Sequence, residues 1–284
     1  MENQEQRYKG SLSAQLAAAY RATESEKPEG ERIFYDPYAK FFAGEEARKL
    51  MEKSEGATPG GYLTTVLASW FTEEWVKKCI SQKEHKAEQV VIWGAGYDSI
   101  ALRMEELKEG ARVYEVDEPI TSLEKRAKVK EIIGYLPAYI HYITMDFEKE
   151  SYQDLKERLL SYDYKPSGRT VFTLRAVLQY IDPEAVDALL GFTSQFSGPG
   201  SSLVLNIIDY KREEFSQASL LIQELSKGGE TFKFGLRREE IEKFMQERGY
   251  QDIHICSIKE LKEKLNKPLF PIDSIYLMVT ARVK

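Results

Sequence analysis

The chain has 284 residues, 42% hydrophobic and 30% charged; this suffices for one large domain or two small ones and excludes a disordered or fibrous chain. The net charge of −6 argues against a general nucleic-acid surface, and the locally basic run Glu124 to Glu131 is interleaved with acids as on a solvated helix face. Cys79 and Cys256 lie far apart and His85, His141 and His254 lack paired spacing, so neither a disulfide framework nor a metal site is expected.

In chain order, Ser13 to Glu24 is alanine-rich and helical, Tyr35 to Lys53 reads as helix, and Tyr62 to Ile80 carries apolar residues at helical spacing behind the break at Pro59, Gly60 and Gly61. From Gln89 the pattern alternates. Strands are predicted at Gln89 to Trp93, Arg112 to Asp117, Tyr142 to Phe147, Thr170 to Leu174 and Ser201 to Ile208. Between them lie helices over Asp98 to Leu107, Pro119 to Lys130, Tyr152 to Leu160 and Pro183 to Phe196, the last capped by Asp182. After a helix from Arg237 that ends at Gly249, Asp252 to Ile258 and Ser274 to Val283 read as two strands joined by a connection containing Pro268 and Pro271.

This rhythm predicts an α/β fold: a seven-stranded, mostly parallel sheet with helices on both faces and an antiparallel hairpin at one edge. Residues 1–88 are expected to form an N-terminal helical cap on a core of residues 89–284. The stretch at about 210–236 is too long for a simple connection and reads as a lid. No window approaches the roughly 18 apolar residues of a membrane helix. Met1 to Gly10 is polar where a signal peptide would be basic and then apolar, so a cytoplasmic protein is the default expectation.

The stretch VVIWGAGYDSIALRM, Val90 to Met104, carries the chemistry. Gly94 and Gly96 fall where the first strand turns toward a helix, so backbone amides can approach an anionic ligand closely. Asp117, about 20 residues on at the end of the second strand, is placed to accept from both ribose hydroxyls of a nucleotide-like ligand, with Glu115 as the fallback if the register is off. Asp146 and Phe147 suit an adenine amine and ring face. Ser99 stands where a dinucleotide-binding turn has its third glycine. A ligand with adenosine but no pyrophosphate therefore fits better, and S-adenosylmethionine is the common one.

VIWGAGYDSIALRM, VYEVDEP, MDFEKE and LRAVLQYID, preceded by AAAYRA and FYDPYAKFF, resemble the leucine carboxyl methyltransferase family, including its polyketide-type O-methyltransferase branch. The likeness runs in order from about Ser13 to Tyr210. It implies a class I, Rossmann-like S-adenosylmethionine-dependent methyltransferase that yields S-adenosylhomocysteine, needs no metal and acts on a small-molecule acceptor without nucleic acid or membrane as partner. It implies, too, that Arg21 pairs with the methionyl carboxylate. Gly94, Ala95 and Gly96, with Asp98 beside them, would line the methionyl group; Asp117 would hold ribose, and Asp146 and Phe147 adenine. Two positions depart from the family pattern: an arginine appears as Thr65 and a glutamate as Arg175. Arg175 either takes over an anionic group in a positional exchange with Thr65 or neutralises Asp98 or Asp117.

An ionised carboxylate needs no base, whereas a phenol with pKa about 10 would gain from one. No histidine lies within the motifs, although His141 could reach inward, so the resemblance and chemistry favour a small-molecule carboxylate or acidic hydroxyl. Tyr62 and Tyr180 are the candidate substrate contacts, with Tyr20 and Tyr97 nearby; no residue stands out as catalytic. The alternatives are a protein C-terminal carboxyl methyltransferase, a non-catalytic S-adenosylmethionine-binding protein and, more distantly, a nicotinamide oxidoreductase.

Overall fold

The computed structural model describes residues 10–57, 60–82, 86–209, 219–265 and 274–284. Among the described residues there are seven strands: β1 (Gln89–Trp93), β2 (Arg112–Asp117), β3 (Ile140–Thr144), β4 (Thr170–Leu174), β5 (Ser202–Ile208), β6 (Tyr250–Ser257) and β7 (Tyr276–Val283). They form one sheet in the order β3-β2-β1-β4-β5-β7-β6. The pairs from β3 through β5 are parallel, whereas β7 runs antiparallel to both β5 and β6.

Strand β1 is buried along its whole length, and its period of two splits it between two cores. Val91 and Trp93 join Phe172, Leu189 and Met245 on one face, while Val90 and Ile92 join Val76, Val113 and Val129 on the other. Strand order reverses between β1 and β4, the switch point where open parallel sheets leave a crevice beyond their carboxyl ends. In register, Trp93 sits opposite Val116 and Leu174, and Asp117 opposite Thr144. The residues that follow these positions therefore emerge along one sheet edge.

Helices α1 (Leu12–Ser25), α2 (Ala39–Phe42), α3 (Glu45–Ala57) and α4 (Gly61–Ser81) precede the sheet. The single helix expected over Tyr35 to Lys53 is two, separated at Ala43 and Gly44; Pro59 lies outside the described residues. The helix expected over Asp98 to Leu107 is likewise two single turns, α5 (Ile100–Arg103) and α6 (Glu105–Lys108), parted at Met104 with ψ 111°. That break lets Leu102 and Leu107 both be buried, although five residues apart on one helix they would face different ways.

Helices α7 (Pro119–Ile133), α8 (Tyr152–Ser161), α9 (Pro183–Gln195), α10 (Ser219–Lys227) and α11 (Arg238–Glu247) follow. The antiparallel pairing of the last two strands is as expected, but they are not joined by loop alone. The connection opens with α12 (Ile258–Lys264), whose start is a capping box between Ser257 and Glu260; Pro268 and Pro271 lie outside the described residues. No described helix is long and apolar enough to cross a membrane.

Candidate active site

A cleft of about 350 Å³ follows the carboxyl ends of β1 to β4, within the ~300–1,000 Å³ typical of ligand sites. It brings together Arg21, Gly94, Ala95, Gly96, Asp98, Asp117, Asp146, Phe147, Arg175 and Tyr180. Glu115 is elsewhere: it is buried against Lys125 at 2.7 Å, and burial pushes its carboxyl up to about 7.

The glycine turn is held by its own geometry. Gly94 and Gly96 have φ of 59° and 44°, left-handed values that glycine adopts freely. A Cβ on Gly94 would lie 2.3 Å from Val177 Cγ2, and one on Gly96 3.0 Å from Ala14 Cβ. The Ala95 amide donates to the Val116 carbonyl (3.2 Å). Asp117 closes the turn, accepting from the amides of Gly96 and, at 2.7 Å, Glu118. Burial outweighs those two hydrogen bonds and pushes its carboxyl up to about 6. Since α5 is a single turn, a long helix dipole adds little here, and the amides of Ala95 and Gly96 are already committed to Val116 and Asp117.

Beyond β3, Asp146 accepts from the Glu148 amide (3.0 Å) and pairs with Lys149 (2.7 Å). Burial opposes ionisation, but Lys149 and the turn amides hold its carboxyl below the ordinary range. Phe147 packs edge-on against Trp93, ring centroids 6.1 Å apart. Tyr97 is buried and stacks on Phe42 at 5.5 Å.

Under the turn lies a buried chain of charges. Arg21 is 1% exposed and donates to Asp36 (3.0 Å) and to the Tyr97 carbonyl (2.6 Å). Arg103 sits 3.9 Å from Asp36 and grips Glu73 with two nitrogens. Asp98 accepts from the Ile100 amide (3.0 Å) and pairs with Arg175 (2.8 Å). Burial disfavours the charged Asp98, yet Arg175, Arg21 and Arg103 together hold its carboxyl well below the carboxylate range. Arg175 also donates to Ser69 Oγ, which donates in turn to the Thr65 carbonyl (2.7 Å). Arg175 thus reaches the backbone of Thr65, not its side chain, through one hydroxyl, and it also neutralises Asp98.

A second cavity of about 230 Å³ opens beside the cleft and shares Ser13, Ala17, Arg175, Ala176 and Tyr180 with it. Its walls are largely apolar: Leu16, Leu221, Leu225, Phe232 and Ile275, with Tyr20 and Tyr276. Tyr180 meets Phe232 edge-on at 5.2 Å, and burial raises its hydroxyl pKa well above the usual value. Ala176 holds an unusual φ of 55° and donates to Asn206 Oδ1 (2.6 Å), a constraint of the kind found at ligand sites.

Tyr62, expected to meet substrate, does not line either cavity. Its hydroxyl donates to the buried Glu24 and its ring lies under the Lys27 ammonium (4.9 Å). Its neighbours Gly61 and Thr65 line the cavity instead, and Tyr20 supplies the aromatic wall. His141 does not reach inward either; it sits between the rings of Tyr114 and Tyr162. Of the expected lid, residues 210–218 lie outside the described residues, while α10 and the chain after it border both cavities through Leu221, Leu225, Glu230 and Phe232. Sequence reading missed Asn206, Glu230 and Tyr276. Only Asn206 left a signal, as the one polar residue inside an apolar strand.

The comparisons with known proteins agree with this architecture. Residues 14–194 match the leucine carboxyl methyltransferase family. A Bacillus subtilis protein named "Putative S-adenosyl-L-methionine-dependent methyltransferase YktD" is 31% identical over 167 residues, covering 57% of this chain and 54% of that protein. A similarly named protein of Saccharopolyspora erythraea is 24% identical over 215 residues, 74% of this chain and 71% of its own. The chain thus matches only about half the length of the Bacillus relative.

Two solved structures share the fold, that of class I methyltransferases. One, from Thermobifida fusca and described as a "putative methyltransferase", gives a TM-score of 0.64 at 17% identity over 98% of this chain and 96% of that chain. The other, a DUF574 protein of Streptomyces avermitilis, gives 0.67 at 13% identity over 98% and 100%. With well over half of its sequence matched, from the helix that carries Arg21 into α9, the chain belongs to the leucine carboxyl methyltransferase family.

Proposed function

We propose that this chain binds S-adenosylmethionine in the cleft and methylates an oxygen of a small-molecule carboxylate or acidic hydroxyl held in the adjoining cavity. The observation that carries the reading is the shared wall: a polar cleft with an acid at the β2 end meets a largely apolar cavity at Ser13, Ala17, Arg175, Ala176 and Tyr180. The residues fit the cofactor. Asp117 would accept from the ribose hydroxyls, Asp146 and Phe147 would meet adenine, and the close-approach turn at Gly94 to Gly96 would line the methionyl group. The bound sulfonium supplies an electrophilic methyl carbon. The chain's part is to exclude water and align an oxygen with that carbon, which supplies much of the acceleration in displacements of this kind.

Residues 1–88 act in this reading as a cap, contributing Leu16 and Tyr20 to the acceptor cavity, while residues 89–284 carry the cofactor site. Arg21, already engaged by Asp36 and Tyr97, would meet the methionyl carboxylate with its remaining donor capacity. Titrating the protein with S-adenosylmethionine, S-adenosylhomocysteine and NADH by calorimetry tests the proposal. Micromolar binding of the first two and none of NADH is expected, followed by methyl transfer in a screen of carboxylate and phenolic acceptors. Failure of both adenosyl ligands to bind would overturn it.

A further inference from the structure

The bound methionyl group would bring a carboxylate and an ammonium into the cleft, and the charges already there are unevenly committed. On the cofactor reading above, the ammonium's partner is one of the carboxylates that line the cleft. Asp98 is paired with Arg175, and Asp117 is bonded to the amides of its own turn. Asp146 is held by Lys149, Glu148 by Lys233 (2.7 Å), and Glu118 accepts from the Thr121 hydroxyl (2.6 Å). Glu230 is different. It comes from the segment after α10, lines the cleft, and accepts the backbone amide of Ser13 at 2.8 Å. Like Asp117 and Glu118 it has no cation partner among the described residues, but unlike them it does not come from the β2 end.

Its position suits the methionyl end rather than the adenosine end. Ser13 borders both cavities, as does Tyr180, whose hydroxyl feels the Glu230 charge. We propose that Glu230 is the anionic group that receives the α-ammonium of the methionyl moiety, so that the segment following α10 closes over the cofactor through an ion pair. One carboxylate oxygen keeps the Ser13 amide while the other faces the ligand. This arrangement supplies negative charge that the end of β4, followed by Arg175, does not.

The test is calorimetric titration of wild type and Glu230→Gln with S-adenosylmethionine, S-adenosylhomocysteine and 5′-methylthioadenosine, which lacks the amino acid end. Glutamine retains an oxygen for the Ser13 amide. Expected is a weakening of about tenfold for the first two ligands, in keeping with loss of one charge-assisted hydrogen bond, with methylthioadenosine unchanged. Unaltered binding of S-adenosylhomocysteine to the variant would overturn the proposal, including the case in which only the sulfonium ligand weakens. An equal loss for methylthioadenosine would also overturn it, by showing a disturbed cleft. If wild type binds none of the three, the cofactor reading itself falls.

Discussion

The cleft takes its lining chiefly from loops that follow four strands, between Gly94 and Ile181, whereas the cavity beside it draws on α1, α3, α4, β5, α10 and β7, between Ser13 and Tyr276. Parallel register fixes the first, because each strand end is tied to the next by the ladder. The second exists only where distant segments happen to pack. A cofactor common to many proteins suits the fixed part, and a variable acceptor suits the packed one. Arg175 belongs to both, and this is where the contrast can be broken most severely.

Replacing Arg175 with Ala would leave Asp98 buried without its nearest cation, and a loss of about 3–5 kcal/mol in folding stability is expected. Chemical denaturation measures it. The double variant Arg175→Gln/Asp98→Asn should recover much of that loss; failure to recover would mean that Arg175 is not chiefly an ion-pair residue. Next in size, Asp117→Ala should weaken S-adenosylmethionine binding by about a hundredfold, as two hydrogen bonds to a charged group would. Calorimetry would read this, and fluorescence of an aromatic acceptor in the neighbouring cavity should be little changed. Phe232→Ala, on the cavity side, should do the reverse, raising the acceptor KM by roughly tenfold, as expected for lost apolar contact area, with cofactor affinity intact.

The smallest effect is one of pH. With the Asp117 carboxyl at about 6, cofactor affinity should fall as pH drops through that value, because only the ionised acid accepts from both ribose hydroxyls. Folding stability should respond oppositely. The folded value exceeds the ~3.9 of an unperturbed Asp, so this group's stabilising contribution is fully present below that value and is lost as pH rises through about 6. Thermal melts of wild type and Asp117→Asn across pH 4 to 7 would show it.

The same contrast explains what could be read from the sequence. Thr170 to Leu174 and Arg112 to Asp117 appear as strands with the expected bounds, since a run buried on both faces carries its signal locally. The cleft's residues lie at strand ends and inherit that legibility. Tyr62 failed because which neighbour on α4 faces the cavity depends on how α4 meets α1 and Glu24, a tertiary fact. The helix α12 was readable in principle from Ser257 and Glu260, but two strands close together in sequence suggested a simple hairpin. Glu230 and Tyr276 left no mark because their role comes from where long connections return.

The buried charges beneath the turn have an implication for where the molecule can be divided. Asp36 and Glu73 come from the segments before the sheet and face Arg103, while Arg21 meets the carbonyl of Tyr97. A fragment beginning at Gln89 would keep Arg103 and lose both acids that answer it. The seam between the N-terminal helices and the sheet is therefore electrostatic as well as apolar, and exchanging those helices between relatives to change acceptor preference would succeed only if Arg21, Asp36 and Glu73 travel with them.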